Sequence, residues 1–446
     1  MPRRSNRPAR RARRATGRSA HPAAGPPARV LLLLPTTTYR ARDFIEAAAR
    51  LGVETVVGSD RKQALQALQP ARGVTLDRRD PETAAAQIAA FAASHPFMAI
   101  VPTDDESAVV AAAASARLGL PHNPPEAARA ARRKDTLRRI LHAAGVRTPR
   151  YDLLTLDDDP AVAARRQTFP CVLKPTFLAA SRGVIRADDP RQFVAAFRRI
   201  EALLADPDVR DRGGEAARLV LVEEFVPGVE VALEGLLVDG RLKVLALFDK
   251  PDPLDGPFFE ETLYVTPARL PATSRRAIES LTARAARALG LTTGPVHAEL
   301  RLNARGPWLI ELAARSIGGL CSRALRFSTG LSLEEVILMH ALGRDVTRLR
   351  REARPAGVMM IPIPRAGVLE GVDGIEEARA VPNVTDVTIS AHPGQTLVPL
   401  PEGSRYLGFL FARAQTPGEA EEALRRAHAA LRFRIRNERG PSLRSG

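Results

Sequence analysis

The sequence predicts an α/β domain with a doubly wound parallel sheet, followed by an α+β domain and then by a further α+β extension. Its 446 residues exceed what one hydrophobic core normally serves, so several domains are expected. Up to about residue 122, apolar runs alternate with stretches of helical periodicity, which is typical of parallel sheets covered by helices. From Phe169 onwards, short strands joined by tight turns indicate antiparallel sheet with covering helices.

The first domain is expected over residues 29–122. Its predicted elements are a buried strand, a helix and two more strands: Val30–Leu34, Asp43–Leu51, Val53–Val57 and Met98–Val101. Three acids, Asp104–Glu106, follow the last of these strands, where open α/β sheets bind ligands. Acids also stabilise a helix N-terminus through its dipole, and this simpler interpretation is preferred for them.

The second domain is expected over residues 123–345, as two α+β subdomains preceded by linker helices at 123–150. A helix is predicted at Arg275–Leu289, and the turn Asn303–Gly306 is predicted to join the last two strands as a hairpin. The predicted strands are Pro170–Lys174, Gly183–Arg186, Arg218–Glu223, Val231–Leu237, Arg241–Phe248, Val296–Leu302 and Trp308–Leu312.

The extension is expected over residues 346–436, after a helix at Ser332–Leu342 that belongs to the second domain. Strands are predicted at Gly357–Pro364 and Val384–Ile389. An amphipathic helix is predicted at Thr416–Phe433, because its apolar residues recur at helical spacing: Ala420, Ala423, Leu424, Ala427 and Leu431.

Positive charge is concentrated at the N-terminal end of the chain. Residues 1–29 contain nine arginines and no acid, which is more than half of the formal net charge of +16. The segment 1–28 lacks the apolar side chains for a core and is predicted to be disordered, as are residues 437–446. An arginine-rich arm leaves nucleic-acid binding open as a non-enzyme alternative. The remaining positive charge is spread out and suits an enzyme with anionic substrates, so nucleic acid is not the expected partner.

The cysteine content and the hydropathy of the sequence indicate the cellular location expected for this protein. The two cysteines, Cys171 and Cys321, lie far apart and provide neither a disulfide framework nor a zinc-ligand spacing. This favours a reducing, cytoplasmic setting. Since a membrane span needs about 20 consecutive apolar residues and the sequence contains no such run, no membrane association is expected.

Two glutamates form the strongest candidate site. Glu299 and Glu311 lie on the two strands of the predicted Asn303–Gly306 hairpin, where they can come opposite each other. Converging carboxylates repel unless a cation lies between them, and Mg²⁺ is usually bound by one or two carboxylates together with substrate phosphates. The alternative, a pair of acids on the solvated face of an edge hairpin, stays open at this point because the register is not visible in the sequence.

Basic and small residues that precede the two glutamates in the sequence indicate a phosphate-binding site beside the candidate metal site. Lys174 ends a buried strand and is followed by the stretch Thr176–Gly183, whose small residues allow backbone N–H groups to approach phosphates. Further on, Glu223–Glu230 contains a strand end and a Pro-Gly turn, which together can form a hinge against an adenine. A carboxylate such as Glu230 can accept both hydroxyl groups of a ribose.

In their order along the chain, these residues resemble the ATP-grasp superfamily. The resemblance covers most of the sequence and implies that ATP is bound by two lysines, a phosphate loop, an adenine hinge and a ribose acid. In that order, the implied residues are Lys134, Lys174, Ser181, Gly183, Glu223, Glu224, Val226 and Glu230. The several glycines usual in the phosphate loop of the family are reduced here to Gly183.

The same resemblance implies a metal site and a catalytic arginine. Glu299 and Glu311 would bind Mg²⁺, with Mn²⁺ as an alternative. The asparagine that usually follows the second glutamate by two residues is replaced by Ala313, so this metal site is expected to be leaner. Arg315 is similar to the arginine that steadies the transferred phosphate.

A narrower resemblance points to the L-amino-acid ligase branch of this superfamily. It rests on Phe248–Thr262, Arg315–Arg323 and Gly357–Phe433. It implies that Glu260 or Glu261 holds a substrate ammonium, and that His297 lies on the substrate side. The backbone of Gly318 and Gly319 would approach an oxyanion, and Arg323 would pair with a substrate carboxylate. His297 is also interpretable as a structural, hydrogen-bonded histidine, and Cys321 as packing.

The implied reaction is ATP-dependent ligation of a carboxylate to an amine through an acyl phosphate, with an amino acid and a second amino acid or amine as substrates. The alternative on the same scaffold is a carboxylase or purine-pathway ligase, which would use bicarbonate or formate. This scaffold often forms homodimers, but the sequence does not fix the oligomeric state. The sequence leaves the two substrates of the ligation undefined.

Overall fold

The computed structural model describes residues 28–35, 38–61, 72–328 and 330–437. The two segments predicted to be disordered, 1–28 and 437–446, lie outside the described residues except for Ala28 and Asn437. Of the helices that the structure describes, none combines the length and the apolar character that crossing a bilayer requires.

The N-terminal domain is a parallel four-stranded sheet in the order β3-β2-β1-β4. Side chains of β1 alternate between two cores: Val30 and Leu32 pack with Phe44, whereas Leu31 and Leu33 pack with Ile88. Helices therefore cover both faces of the sheet, as a doubly wound fold requires. The elements are β1 (Arg29–Leu33), α1 (Ala41–Arg50), β2 (Glu54–Ser59), β3 (Gly73–Thr75), α2 (Pro81–Ser94), β4 (Ala99–Pro102) and α3 (Asp105–Leu118).

Two helices, α4 (Pro125–Arg132) and α5 (Lys134–Ala143), lead into a small antiparallel sheet in the order β5-β8-β6-β7. Its buried face packs on α7, with Phe193, Phe197 and Ile200 fully buried. The elements of this subdomain are β5 (Tyr151–Thr155), α6 (Pro160–Ala164), β6 (Cys171–Pro175), β7 (Ile185–Ala187), α7 (Pro190–Leu204), α8 (Pro207–Gly213) and β8 (Leu219–Glu224).

An eight-stranded antiparallel sheet joins the second domain to the extension. Its order is β13-β12-β9-β10-β11-β14-β18-β16, so the strands of the extension continue the sheet of the second domain. Its elements up to residue 345 are β9 (Val229–Val238), β10 (Arg241–Asp249), β11 (Leu263–Thr266), α9 (Ala272–Leu289), β12 (Gly294–Asn303), β13 (Gly306–Ala313) and α10 (Leu333–Ala341).

The extension completes this sheet and adds a separate three-stranded sheet in the order β17-β15-β19. The predicted helix Thr416–Phe433 is too long: α12 ends at Ala430, and the residues after it form a strand. The elements are β14 (Ala356–Ile361), β15 (Gly367–Asp373), α11 (Ile375–Arg379), β16 (Val384–Ile389), β17 (Thr396–Leu397), β18 (Gly408–Arg413), α12 (Pro417–Ala430) and β19 (Arg432–Arg436).

Candidate functional site

A cleft of about 1380 Å³ lies where the parallel sheet, the small antiparallel sheet and the eight-stranded sheet meet. Most of the predicted site residues line it, which brings together positions far apart in the sequence. Those lining the cleft are Lys134, Lys174, Ser181, Glu223, Glu224, Val226, Glu230, Glu261, His297, Glu299, Glu311, Arg315, Gly318 and Gly319.

The β12–β13 hairpin places Glu299 directly opposite Glu311, and the register shifts immediately after Glu299. Each carboxylate has only long contacts with cations. An oxygen of Glu311 lies 3.4 Å from Lys134 Nζ, and one of Glu299 lies 3.5 Å from Lys250 Nζ. Because these distances exceed those of charge-assisted hydrogen bonds, the oxygens keep the capacity to bind a divalent cation. The solvated-hairpin alternative does not fit, since both acids face the cleft.

Glu223 holds two cations at the base of the cleft. Its carboxylate accepts from Arg138 Nε at 2.6 Å and from Lys174 Nζ at 2.5 Å, and all three side chains are buried. Burial alone would raise the pKa of Glu223, but the two cations hold it below its ordinary value. Burial lowers the pKa of Lys174 despite this partner. Glu223 therefore fixes Lys174 in position, and Arg138 is a site residue that the sequence did not reveal.

A second group of acids surrounds Lys250. Within the described part of the chain, oxygens of Glu230, Glu261 and Glu299 lie within 4.8 Å of one another. Lys250 Nζ donates to Glu230 at 2.8 Å and also to Glu261, whose carboxylate accepts from the Tyr264 hydroxyl at 2.9 Å. Burial opposes the charged ammonium, yet the surrounding acids raise the pKa of Lys250 well above its ordinary value. Lys250 is thus a permanent cation beside the predicted metal ligands.

His297 lies between two glutamates in the cleft wall. Its Nδ1 is 3.2 Å from Glu234, and its Nε2 is 3.6 Å from Glu299. Burial lowers the pKa of His297, but the two carboxylates outweigh it and raise the pKa to about 9. Glu234 is fully buried and also accepts from the backbone N–H of Ile317 at 3.0 Å. His297 is therefore hydrogen-bonded in the cleft wall, which agrees with the structural interpretation and leaves its Nε2 beside Glu299.

Arg315 connects the cleft to the N-terminal domain. Its Nε and Nη2 each lie 3.1 Å from Asp105 Oδ2, and Asp105 is the first residue of α3. Asp104 caps the same helix through the N–H of Ser107 at 2.6 Å. The acids Asp104–Glu106 thus both stabilise the helix start and line the cleft.

Apolar side chains line the cleft beside the predicted hinge. Val172, Phe225, Leu254, Phe259 and Ile310 line the cleft there, and Arg186 lies 4.2 Å above the ring of Phe225. The carbonyl of Val226 accepts from Arg301 Nη1 at 3.1 Å, and Arg301 Nε donates to Glu230 at 3.1 Å. Arg301 therefore ties the hinge backbone to Glu230 beside the apolar side chains of the cleft wall.

The side chain of Glu224 is engaged away from the predicted hinge backbone. Its carboxylate accepts from both the backbone N–H and Nε of Arg150, at 3.0 and 2.9 Å. The side chain therefore ties β8 to the chain before β5. Its place in the cleft wall leaves the backbone, and not the carboxylate, as the part able to meet a ligand.

Three predicted site residues do not line the cleft: Gly183, Glu260 and Arg323. The N–H of Gly183 donates to the carbonyl of Pro401 at 2.8 Å, so it does not face a phosphate. Glu260 is half-buried, which raises its pKa, and its carboxylate accepts from the backbone of Ile363.

Arg323 is held outside the cleft by the N-terminal domain. Its Nε and Nη2 donate to the two oxygens of Asp43 at 2.9 and 2.8 Å, and Asp386 lies 3.5 Å away. The guanidinium that was predicted to pair with a substrate carboxylate is thus already occupied. The sequence could not show this, because Asp43 lies 280 residues away.

Three family models match successive parts of the chain. The ATP-grasp domain matches residues 167–324, and the ATP-grasp N-terminal domain matches residues 45–122. The L-amino acid ligase C-terminal domain 2 matches residues 359–436.

Three proteins, among others, are similar to this chain over half of its length or more. A protein of Sinorhizobium fredii whose function is not characterised is 25% identical over 91% of this chain and 83% of its own length. The alanine–anticapsin ligase of Bacillus subtilis is 29% identical, and the match spans 52% of each chain. Among solved structures, the L-amino acid ligase of Bacillus licheniformis superposes with a TM-score of 0.79 at 28% identity, over 92% of this chain and 99% of that one.

The sheets, the cleft and these matches define an ATP-dependent ligase of the kind that forms carbon–nitrogen bonds. The chain belongs to the ATP-grasp superfamily and carries the C-terminal domain of its L-amino acid ligase branch. The resemblance and the fold class predicted from the sequence are thereby confirmed.

Proposed function

We propose that this protein joins the carboxyl group of an amino acid to the amine of a second amino acid or another amine, with ATP converted to ADP and phosphate. The observation that carries the proposal is the β12–β13 register. It sets Glu299 opposite Glu311 in a cleft that Lys134, Lys174 and Arg315 also line, with Lys250 buried behind Glu299. Such a density of fixed charge suits phosphoryl transfer, in which catalysis consists largely of positioning and charge stabilisation.

The nucleotide fits the part of the cleft between the hinge and the small sheet. The apolar part of the cleft wall near Phe225 would accept adenine, with the backbone of Glu224–Val226 along its edge. The ammonium groups of Lys134 and Lys174 would meet the phosphates. Glu230 would need to reach the ribose hydroxyls while still paired with Lys250 and Arg301, which its two oxygens allow.

A divalent cation fits the donor set of Glu299 and Glu311. Their contacts with Lys134, Lys250 and His297 are long, and Glu299 also shares a hydrogen bond with Glu261, so further lone pairs remain for a metal such as Mg²⁺. Bound there with the phosphates, the metal would neutralise charge that develops during transfer. Ala313 supplies no ligand, and Lys250 adds a fixed positive charge at the same place.

The proposed reaction has two steps. A carboxylate oxygen of the first amino acid attacks the γ-phosphorus of ATP and the bond to ADP breaks, which gives an acyl phosphate. The amine of the second substrate then attacks the acyl carbon, phosphate leaves, and the nitrogen loses a proton. Arg315, held in place by Asp105, would offset charge on the acyl phosphate, and the backbone of Gly318 and Gly319 would approach its oxygen.

A screen of amino-acid pairs tests this function. ADP release that requires two amino acids, together with a condensed product found by mass spectrometry, is the expected result. Glu311→Gln should lower turnover by a factor of about 100 or more without unfolding the protein, because it removes one predicted metal ligand. Glu422→Gln, which changes an exposed carboxylate on α12, is the matched control.

Two outcomes would contradict the proposal. ADP release that depends on bicarbonate or formate, and ignores every amino-acid pair, would favour the carboxylase or purine-pathway alternative. Wild-type turnover by Glu311→Gln would remove this residue from the metal site. Mg²⁺, amino-acid substrates, a cytoplasmic location and a homodimer remain parts of the proposal.

A further inference from the structure

Arg40 is a buried cation in the cleft wall with unusually weak partners. Its side chain is 3% exposed, at the start of α1. Nη1 lies 3.4 Å from the carbonyl of Thr103 and Nη2 lies 3.4 Å from Glu334, while Nε finds no partner among the described residues. A guanidinium normally makes charge-assisted bonds of about 2.7–2.9 Å. Arg138 and Arg323 make such bonds with carboxylates, at 2.6 Å and at 2.8–2.9 Å.

The residues around Arg40 hold its side chain in place but leave part of the hydrogen-bonding capacity of its guanidinium unused. The Phe44 ring lies 5.0 Å from its guanidinium carbon, and Glu334, itself buried, provides one balancing charge. Arg40 also acts electrostatically on Cys321 and Glu234, and the latter binds the N–H of Ile317. Arg40 lines the same cleft as the loop Ile317–Cys321, which contains Gly318 and Gly319 of the proposed acyl-phosphate site.

The chemistry of the ligation requires a cation in addition to those around the phosphates. When two amino acids are joined, the carboxylate of the first is consumed, because it becomes the acyl phosphate. The carboxylate of the second survives and must be held so that its amine faces the acyl carbon. Burying that charge without a partner would be costly.

We propose that Arg40 binds the α-carboxylate of the amino acid that donates the amine, and so selects amino acids over simple amines. This inference rests on the proposed function. Arg40 takes the role that the sequence suggested for Arg323, whose guanidinium Asp43 already occupies. The N-terminal domain thereby contributes directly to substrate choice through the segment between β1 and α1.

The test compares amine donors with and without a carboxylate. The twenty proteinogenic amino acids and their α-carboxamides serve as amine donors, and hydroxylamine serves as a donor that reports acyl-phosphate formation alone. Wild-type protein should favour amino acids over carboxamides. Arg40→Gln should raise the KM for the amino-acid donor by about 30-fold or more, as expected for loss of one partner of a buried charge pair. The ratio of dipeptide to hydroxamate should fall accordingly.

Matched variants separate this role from a structural one. Arg42→Gln changes an exposed guanidinium on the same helix and should keep the wild-type ratio. Arg40→Lys retains the charge and should recover part of the amino-acid preference. Carboxamides accepted as readily as amino acids by the wild-type protein would overturn the assignment, whether or not Arg40→Gln folds. An unchanged KM for the donor in Arg40→Gln would do the same. If no amino acid gives a hydroxamate with wild-type protein, the proposed function itself fails.

Discussion

Lys250 shows how a single buried charge can organise a site. Its ammonium contacts Glu230, Glu261 and Glu299 and lies 5.0 Å from the centre of the Tyr264 ring. Three carboxylates so close together would repel one another. The ammonium among them offsets this repulsion, and burial together with Glu299 raises the pKa of Glu261. Lys250 therefore keeps the cleft assembled before any substrate arrives.

Replacement of Lys250 by methionine should destabilise the fold as well as the chemistry. Removal of one member of a buried ionic group typically costs about 3–5 kcal/mol, because the remaining charges lose their partner. Urea unfolding of Lys250→Met should show a loss of this size, together with loss of turnover. Glu261→Gln added to the same chain should restore part of the stability.

Lys243→Met is the control for this experiment. Lys243 lies on β10, in the same stretch of chain, and its ammonium donates to the carbonyl of Thr347 at 2.6 Å, away from the acids of the cleft. We expect a loss of about 1 kcal/mol or less for this exposed hydrogen bond. Equal losses in the two variants would show that the three glutamates do not depend on Lys250.

At the scale of single residues, the sequence predicted the acidic site residues better than the basic residues that pair with acids in the cleft. The hairpin turn predicted that Glu299 and Glu311 lie on adjacent strands, and the structure supplies the register that sets them opposite each other. Lys250 lay inside a segment assigned to substrate binding and received no role of its own. Arg138 belongs to a helix whose other residues give no sign that one side chain reaches Glu223. Long-range ion pairs leave no local pattern, so these partners could not be predicted.

Among the elements, the loop between β6 and β7 is held by the extension. The N–H of Gly183 and Nε of Arg182 donate to the carbonyls of Pro401 and Glu402, and Arg199 pairs with the Glu402 carboxylate. Gly183 adopts a φ of +75°, and a Cβ there would lie 2.8 Å from the Pro175 ring. The glycine is therefore needed for packing and for backbone conformation, whatever contact the loop makes with phosphate.

Alanine at position 183 should be more damaging than alanine at position 240. Both glycines have a φ of +75°, but a Cβ at Gly240 would meet nothing within 4 Å. Gly240→Ala should therefore lower the free energy of unfolding only by the cost of placing alanine at a positive φ, about 1–2 kcal/mol. Gly183→Ala should add an overpacking cost of about 1–3 kcal/mol, and chemical denaturation measures both. Similar losses in the two variants would mean that the loop relaxes around the new methyl group.

Strands with a clear hydrophobic period were predicted well. Elements that depend on pairing with a strand distant in the sequence were not. Val384–Ile389 coincides with β16, and the hairpin strands lie within β12 and β13. β5 was missed because an edge strand with mostly exposed side chains has no apolar pattern. The end of α12 was misplaced because Leu431 continues the helical spacing, although the chain there turns into β19 to pair with β15.

At the scale of the whole molecule, ion pairs connect the N-terminal domain to the rest. Arg315 meets Asp105, Arg323 meets Asp43, and Arg50 meets Glu335. The core around Val30 and Phe44 also includes Val336 and Ile337 of α10. Because one hydrophobic core spans this boundary, the N-terminal domain is expected to unfold together with the second domain.

The two cysteines offer a probe of that cooperativity. Burial raises the pKa of Cys171 to about 12, and burial together with Glu261 raises the pKa of Cys321 above its ordinary value. Since the thiolate is the reactive form, neither should react appreciably with iodoacetamide at pH 8 in the folded protein. Labelling of both should follow a single unfolding transition in urea. Rapid labelling of Cys321 in native protein would instead show that the cleft admits the reagent.

The eight-stranded sheet has a consequence for how such a chain can change over evolution. The hairpin with Glu299 and Glu311 lies at one margin, and β14, β18 and β16 of the extension continue the sheet from β11 to the other. Without the extension, β11 would change from an interior strand into an exposed edge strand. Its unpaired backbone groups could then pair with strands of other molecules. The extension is therefore part of the same sheet as the Glu299–Glu311 hairpin, and lineages that lose it must cover the edge of β11 in another way.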